Sequence, residues 1–140
     1  MTDLQIAKEN LVGHTICLCK EGNILFSDKR GISPMMEFID GGVDLCGYSV
    51  ADLVVGKAAA LLFAKSKIKS VFAKTLSEGG KKVLEKYGIG YEYEVLTERI
   101  INRSGTDICP MEKAVENTSD AEEEGYLLLK KRLADMLSEK

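Results

Sequence analysis

Apolar residues recur at helical spacing from the start of the chain, with Leu4, Ala7 and Leu11 falling on one helix face. Thr2, with Gln5 three residues later, forms a capping box ahead of them, and Gly13 follows as a stop. Two short runs, Thr15 to Lys20 and Ile24 to Ser27, read as strands, and the Glu21-Gly22-Asn23 between them suits a tight antiparallel hairpin. Ser33 reads as an N-cap with Pro34 at the first helical position, which predicts a short helix from Met35 to Asp40 before Gly41-Gly42. The longest apolar stretch comes next. From Ser49 through Lys65 it predicts one central helix, apolar around most of its circumference, with Gly56 and Ala58-Ala59-Ala60 permitting close approach to a sheet.

The pattern then changes period. Ser70 to Leu76 holds Val71-Phe72-Ala73, an apolar run that suits a strand buried on both faces. Ser77-Glu78-Gly79-Gly80 opens a helix that runs to about Tyr87 and stops at Gly88. Tyr91, Tyr93 and Val95 alternate with Glu92 and Glu94, the signature of a half-exposed strand at a sheet edge. A polar loop, Asn102 to Asp107, leads into a short helix around Pro110 to Glu116. The last helix, about 119–138, opens with Ser119 and Glu122 and carries a stripe of Tyr126, Leu129, Leu133, Met136 and Leu137. That stripe packs on the domain or on a partner.

Strands alternating with helices from residue 49 onward require parallel crossovers, whereas the leading hairpin makes the sheet mixed. The expected fold class is α/β, a three-layer α/β/α sandwich around a mixed, roughly five-stranded sheet. The 140 residues suit one domain spanning 1–140.

Composition narrows the function. Apolar residues make up 45% and charged residues 29%, a globular balance. A formal net charge of −3 argues against a protein that coats duplex nucleic acid and against a basic membrane-surface protein, since both need excess Lys and Arg. Val50 to Ala64 is interrupted by Asp52, Gly56 and Lys57 and is too short to span a bilayer. No basic region followed by an apolar run opens the chain, so the expected location is the cytoplasm. There Cys17, Cys19, Cys46 and Cys109 should be thiols, without a disulfide framework.

A catalytic zinc site needs three protein ligands and an open position. His14 is the single histidine, no His-x-Glu element or Cys-x-x-Cys pair exists, and no metal or other cofactor is expected. His14 reads as a helix-to-strand connector. No P-loop or dinucleotide fingerprint is present.

Several residues remain as candidates. Asp52, three residues after Ser49, is placed to cap the first turn of the central helix; the other reading is a catalytic acid. Lys57, in the apolar middle of that helix, must snorkel out, pair with a carboxylate, or serve as a site residue with a lowered pKa. The loop with Asn102, Arg103, Ser104, Thr106 and Asp107 offers a guanidinium, hydroxyls and free amides, a cradle for phosphate or carboxylate. Cys109 precedes Pro110 near a helix start, where the dipole favours a thiolate, although a lone cysteine beside a helix start is more often structural. Ser77 stands where a central strand runs into a helix, the usual mouth of a crevice in open α/β sheets.

The segments Ser49-Val-Ala-Asp-Leu-Val-Val-Gly-Lys-Ala-Ala-Ala60, Val71-Phe-Ala-Lys74 and Ile101-Asn-Arg-Ser-Gly-Thr-Asp-Ile-Cys-Pro-Met-Glu112 carry a resemblance. Over roughly the first 118 residues the chain resembles a family of prokaryotic proteins known only as a domain of unknown function. The resemblance implies a cytidine-deaminase-like fold, in which working enzymes bear His or Cys with a nearby Glu at the start of the second core helix and Pro-Cys-x-x-Cys at the start of the next. In this chain those places look like Asp52-Leu53-Val54 and Leu76-Ser77-Glu78-Gly79, so the zinc set is missing and zinc-dependent deamination is not expected. The same fold would bring the start of the Ser49 helix, the Ser77 turn and the Asn102 loop to one crevice.

Three functions fit these residues. The first is binding of a small anionic or nucleoside-like ligand through Asp52, Ser77, the Asn102 to Asp107 loop and the amides near Cys109. The second is an enzyme with Cys109 as nucleophile or Lys57 as general base, and Asp52 orienting the substrate. The third is a structural module that forms a homo-oligomer through the Tyr126 to Leu137 stripe.

Overall fold

The computed structural model describes residues 2–101, 105, 108–118 and 123–138, and among these it places five strands and six helices. Helix α1 (Asp3–Asn10) is held by the expected capping box, in which the Thr2 hydroxyl accepts from the Gln5 N–H and the Gln5 side chain accepts from the Thr2 N–H. Strands β1 (Ile16–Lys20) and β2 (Asn23–Ser27) form the hairpin, with Lys20 opposite Asn23. Glu21 and Gly22 both take positive φ, 49° and 86°, the turn whose twist matches that of the flanking strands.

Helix α2 (Ser33–Asp40) begins one residue earlier than its sequence signal. Ile32, not Ser33, is the N-cap, and its carbonyl accepts from the Met36 N–H. The Ile32 side chain is buried, so packing rather than a hydroxyl fixes this helix start.

The largest departure lies in the long apolar stretch. Residues expected to form one helix divide into strand β3 (Ser49–Val55) and helix α3 (Lys57–Lys65), with Gly56 between them. A strand buried on both faces is a continuous apolar run without a two-residue period, so local pattern cannot separate it from a buried helix. Pairing decides: β3 lies antiparallel to β1 and parallel to β4 (Ser70–Ser77).

Helix α4 (Glu78–Lys86) and edge strand β5 (Gly90–Thr97) follow, then α5 (Pro110–Ala114) and α6 (Glu124–Ser138). Gly88 takes the left-handed conformation just past α4. The mixed sheet runs in the order β2-β1-β3-β4-β5. Its main core, under α2 to α6, buries Leu18, Val50, Leu61, Phe63, Val71 and Leu129. On the opposite face α1 buries Ala7 and Leu11 against Cys17, Cys19, Ala51 and Phe72.

The terminal helix packs on this core. Leu129 is fully buried, Tyr126, Leu133 and Met136 lie against the core, and the Tyr126 hydroxyl and Lys130 ammonium both bond Asp40 at the end of α2. Ser119, Glu122 and the side chain of Leu137 lie outside what is described. No described helix is long and apolar enough to cross a membrane.

Candidate functional site

Parallel β3, β4 and β5 end on the same side of the molecule, and α3 and α4 start there directly after their strands. Helix α3 lacks a cap of its own, because its N-cap is Gly56. Glu112, on α5, supplies one: its Oε1 accepts from the Lys57 N–H and its Oε2 from the Ala58 N–H, both at 2.8 Å. Two amides without intrahelical partners are thereby satisfied, and the carboxylate sits at the positive end of the helix dipole. Burial pushes the Glu112 carboxyl above its ordinary range, while the two amides and the Lys57 charge pull it down; burial prevails.

Gly56 is required by this contact. A Cβ there would lie 2.2 Å from Glu112 Oε1 and 2.8 Å from Ile100 Cγ1. At α4 the buried Ser77 hydroxyl accepts from the Gly80 N–H at 3.0 Å. A Cβ on Gly80 would stand 3.0 Å from the Gly56 carbonyl, so this glycine lets the start of α4 pack against the β3–α3 turn. The two helix starts thus meet backbone to backbone.

Between them lies a crevice of about 190 Å³, its wall carrying the cations Lys57, Arg99 and Lys113, the carboxylates Glu98, Glu112 and Glu116, and Ser77. The Lys57 ammonium donates to the Glu116 carbonyl at 3.1 Å. After β5 the chain doubles back through an antiparallel bridge between Ile101 and Ile108, and the Cys109 N–H donates to the Ile100 carbonyl at 2.9 Å. That return delivers α5, and with it Glu112, to the start of α3.

A family model for TM1506, a domain of unknown function designated DUF1893, matches residues 6–133. The chain belongs to this DUF1893 family. A crystal structure of a DUF1893 family protein (TM1506) from Thermotoga maritima superposes with a TM-score of 0.82 at 27% identity, covering 94% of this chain and 91% of that one. No curated protein matches.

In this DUF1893 chain the predicted site residues separate. Ser77 stands where β4 runs into α4, as expected; it is the N-cap of that helix and borders the crevice. Lys57 also borders it, but as the first residue of α3 rather than in mid-helix, because that helix starts eight residues later than its apolar run. Asp52 caps no helix. It lies inside β3, opposite Ile16 and Ala73, 8% exposed and away from the crevice lining. Burial raises its pKa from 3.8 to about 8, against the pull of the Leu53 and Val54 N–H groups, so the carboxyl holds its proton at neutral pH.

Cys109 is the N-cap residue of α5, half-buried against the core, and makes no side-chain capping bond. Asn102, Arg103, Ser104, Thr106 and Asp107 lie outside the described residues. Of the two places likened to deaminase motifs, one moves. The central helix α3 opens at Lys57-Ala58 and not at Asp52, whereas α4 opens at Ser77-Glu78 where the likeness put it, and neither opening carries His or Cys. Among the described residues no group of three or more His, Cys, Asp or Glu is placed to hold a metal ion.

Sequence reasoning missed Glu112, Arg99 and Lys113. An acidic residue in the first turn of a short helix signals only a local dipole interaction, and nothing in it points to an amide donor 55 positions away.

Proposed function

We propose that this chain is a small-molecule binding domain of cytidine-deaminase-like architecture, without zinc, that takes a compact anionic or nucleoside-like ligand at the crevice between α3 and α4. The observation that carries this reading is the convergence of two helix starts at the carboxyl ends of β3, β4 and β5, where Lys57, Arg99 and Lys113 share the crevice wall with Glu98, Glu112 and Glu116. In open α/β sheets this is where ligands bind, and the three cations on the wall can pair with a negatively charged group. The order of elements and the sheet order β2-β1-β3-β4-β5 support the deaminase-like description.

Segment 102–107 begins and ends at the Ile101–Ile108 bridge, and Ile108 borders the crevice. The proposal therefore assigns Arg103, Ser104 and Thr106, with Asn102 and Asp107, to the ligand's anionic group, and Ser77 to its far side. The test is a thermal-shift screen of the wild type against phosphate, nucleosides and nucleotides. A ligand at a hundred times its Kd stabilises by about 2.7 kcal/mol, a shift of several degrees for a domain of this size. Arg103→Ala and Arg99→Gln should each lose that gain. Full gain in both variants sinks the assignment.

A further inference from the structure

The opposite face of the sheet holds a second and larger cavity. Helix α1 packs over β1, β3 and part of β4, and beyond it lies a groove of about 570 Å³ floored by Leu53 and Phe72. Leu11, Val12 and Gly13, where the chain leaves α1, form one wall. Val12 stands 85% exposed at the rim, an apolar side chain left in solvent. Ligand pockets commonly measure about 300–1,000 Å³, so the groove has room for one small molecule.

Register orders the polar groups around this floor. The pairs Asp52–Ala73 and Val54–Thr75 put Leu53 beside Lys74, and the pairs Ala73–Tyr93 and Thr75–Val95 put Lys74 beside Glu94. The Leu53 N–H donates to the Thr15 carbonyl, so His14 lies one residue beyond that row, on the groove wall. His14 is fixed there, its Nδ1 2.6 Å from Asp28 Oδ1 and its ring 4.3 Å from that of Phe26. One row away, Lys8 is already engaged, 3.4 Å from Glu92 and 4.5 Å above the Phe72 ring.

Lys74 and Glu94 differ from Lys8. They are neighbours on strands about 4.8 Å apart, yet among the described residues neither makes an ion pair. The groove therefore presents one open cation and one open anion side by side next to an apolar floor. A simple anion would meet the Glu94 charge and a simple cation that of Lys74; a molecule with both charges and an apolar body satisfies all three surfaces. We propose that this groove binds a small zwitterion with an apolar side chain, the chemistry of a free apolar α-amino acid. Its carboxylate pairs with Lys74, its ammonium pairs with Glu94, and its side chain lies on Leu53 and Phe72.

The test is a ¹H–¹⁵N NMR titration of the whole chain with L-phenylalanine, N-acetyl-L-phenylalanine and phenethylamine. The last two each lack one of the two charges. L-Phenylalanine should shift the amides of Val12, His14, Leu53, Phe72 and Lys74 and leave those of Lys57 and Ser77 still. Each single-charge analogue should bind about tenfold more weakly, the worth of one charged hydrogen bond. Lys74→Gln should lower affinity for the amino acid about tenfold and leave that for phenethylamine unchanged; Glu94→Gln should do the converse with the acetylated analogue. Equal affinity for all three probes, shifts confined to the crevice residues, or no shift at millimolar probe overturns the proposal. None of these results bears on the anion site at the crevice, which the Arg103 and Arg99 variants test separately.

Discussion

Replacing Asp52 by asparagine should stabilise the protein at neutral pH and remove a distinct part of its pH dependence. Asp52 is walled into the middle of the sheet with a pKa raised from 3.8 to about 8. Between those values the folded chain holds a proton that the unfolded chain has released, so stability falls as pH rises. The contribution is whole below pH 4 and is lost as pH climbs through the folded pKa. Each pH unit in that window removes up to about 1.4 kcal/mol, which amounts to about 4 kcal/mol by pH 7. Against a total stability of about 5–15 kcal/mol, this is a large fraction.

Asparagine keeps an acceptor oxygen for the Leu53 and Val54 amides in a side chain of the same shape and stays neutral throughout. All other titrating groups are common to both proteins, so their effects cancel in the difference. The assay is urea unfolding followed by circular dichroism between pH 4.5 and 7.5, with linear extrapolation to water. The stability of Asp52→Asn relative to wild type should rise by about 4 kcal/mol across that range. A difference that stays flat with pH would refute the reasoning, since it would mean that Asp52 ionises in the folded sheet as readily as in water.

Other consequences follow from the meeting of the two helix starts. Glu112→Ala leaves the Lys57 and Ala58 amides without their acceptor and should cost about 1–2 kcal/mol in urea unfolding, the range of a lost N-cap. Gly56→Ala should cost more, because its methyl would displace both Glu112 and Ile100. In the Glu112→Ala background the Gly56 substitution should cost less, and strictly additive losses in that cycle would argue against the contact. Ser77→Ala removes the buried cap of α4 and should cost about 1 kcal/mol; unchanged stability would show that the Gly80 amide finds another partner.

Features contained in a few consecutive residues were legible in the sequence. The Thr2–Gln5 capping box, the Glu21-Gly22 turn, the helix opening after Ser77, the Gly88 stop and the alternation along β5 each depend on φ, ψ and hydrogen bonds within one or two turns of chain. The mixed sheet with parallel crossovers also followed, since element order restricts how strands can connect. At the site, Ser77 and the return of the chain toward the helix starts were within reach.

Tertiary structure decided the rest. Ser49 to Val55 became a strand because β1 and β4 flank it with hydrogen-bonding edges, while its own apolar run suits a buried helix equally well. That one decision moved Lys57 from mid-helix to a helix start and Asp52 from a presumed cap to the sheet interior, where burial keeps its proton. Glu112 reaches α3 only because the Ile101–Ile108 bridge turns the chain back, and Lys74 meets Glu94 only through the register of β4 on β5. Local propensities act along the chain, whereas pairing, burial and desolvation act between segments far apart in it, and these set where Lys57, Glu112 and Lys74 stand and keep the proton on Asp52.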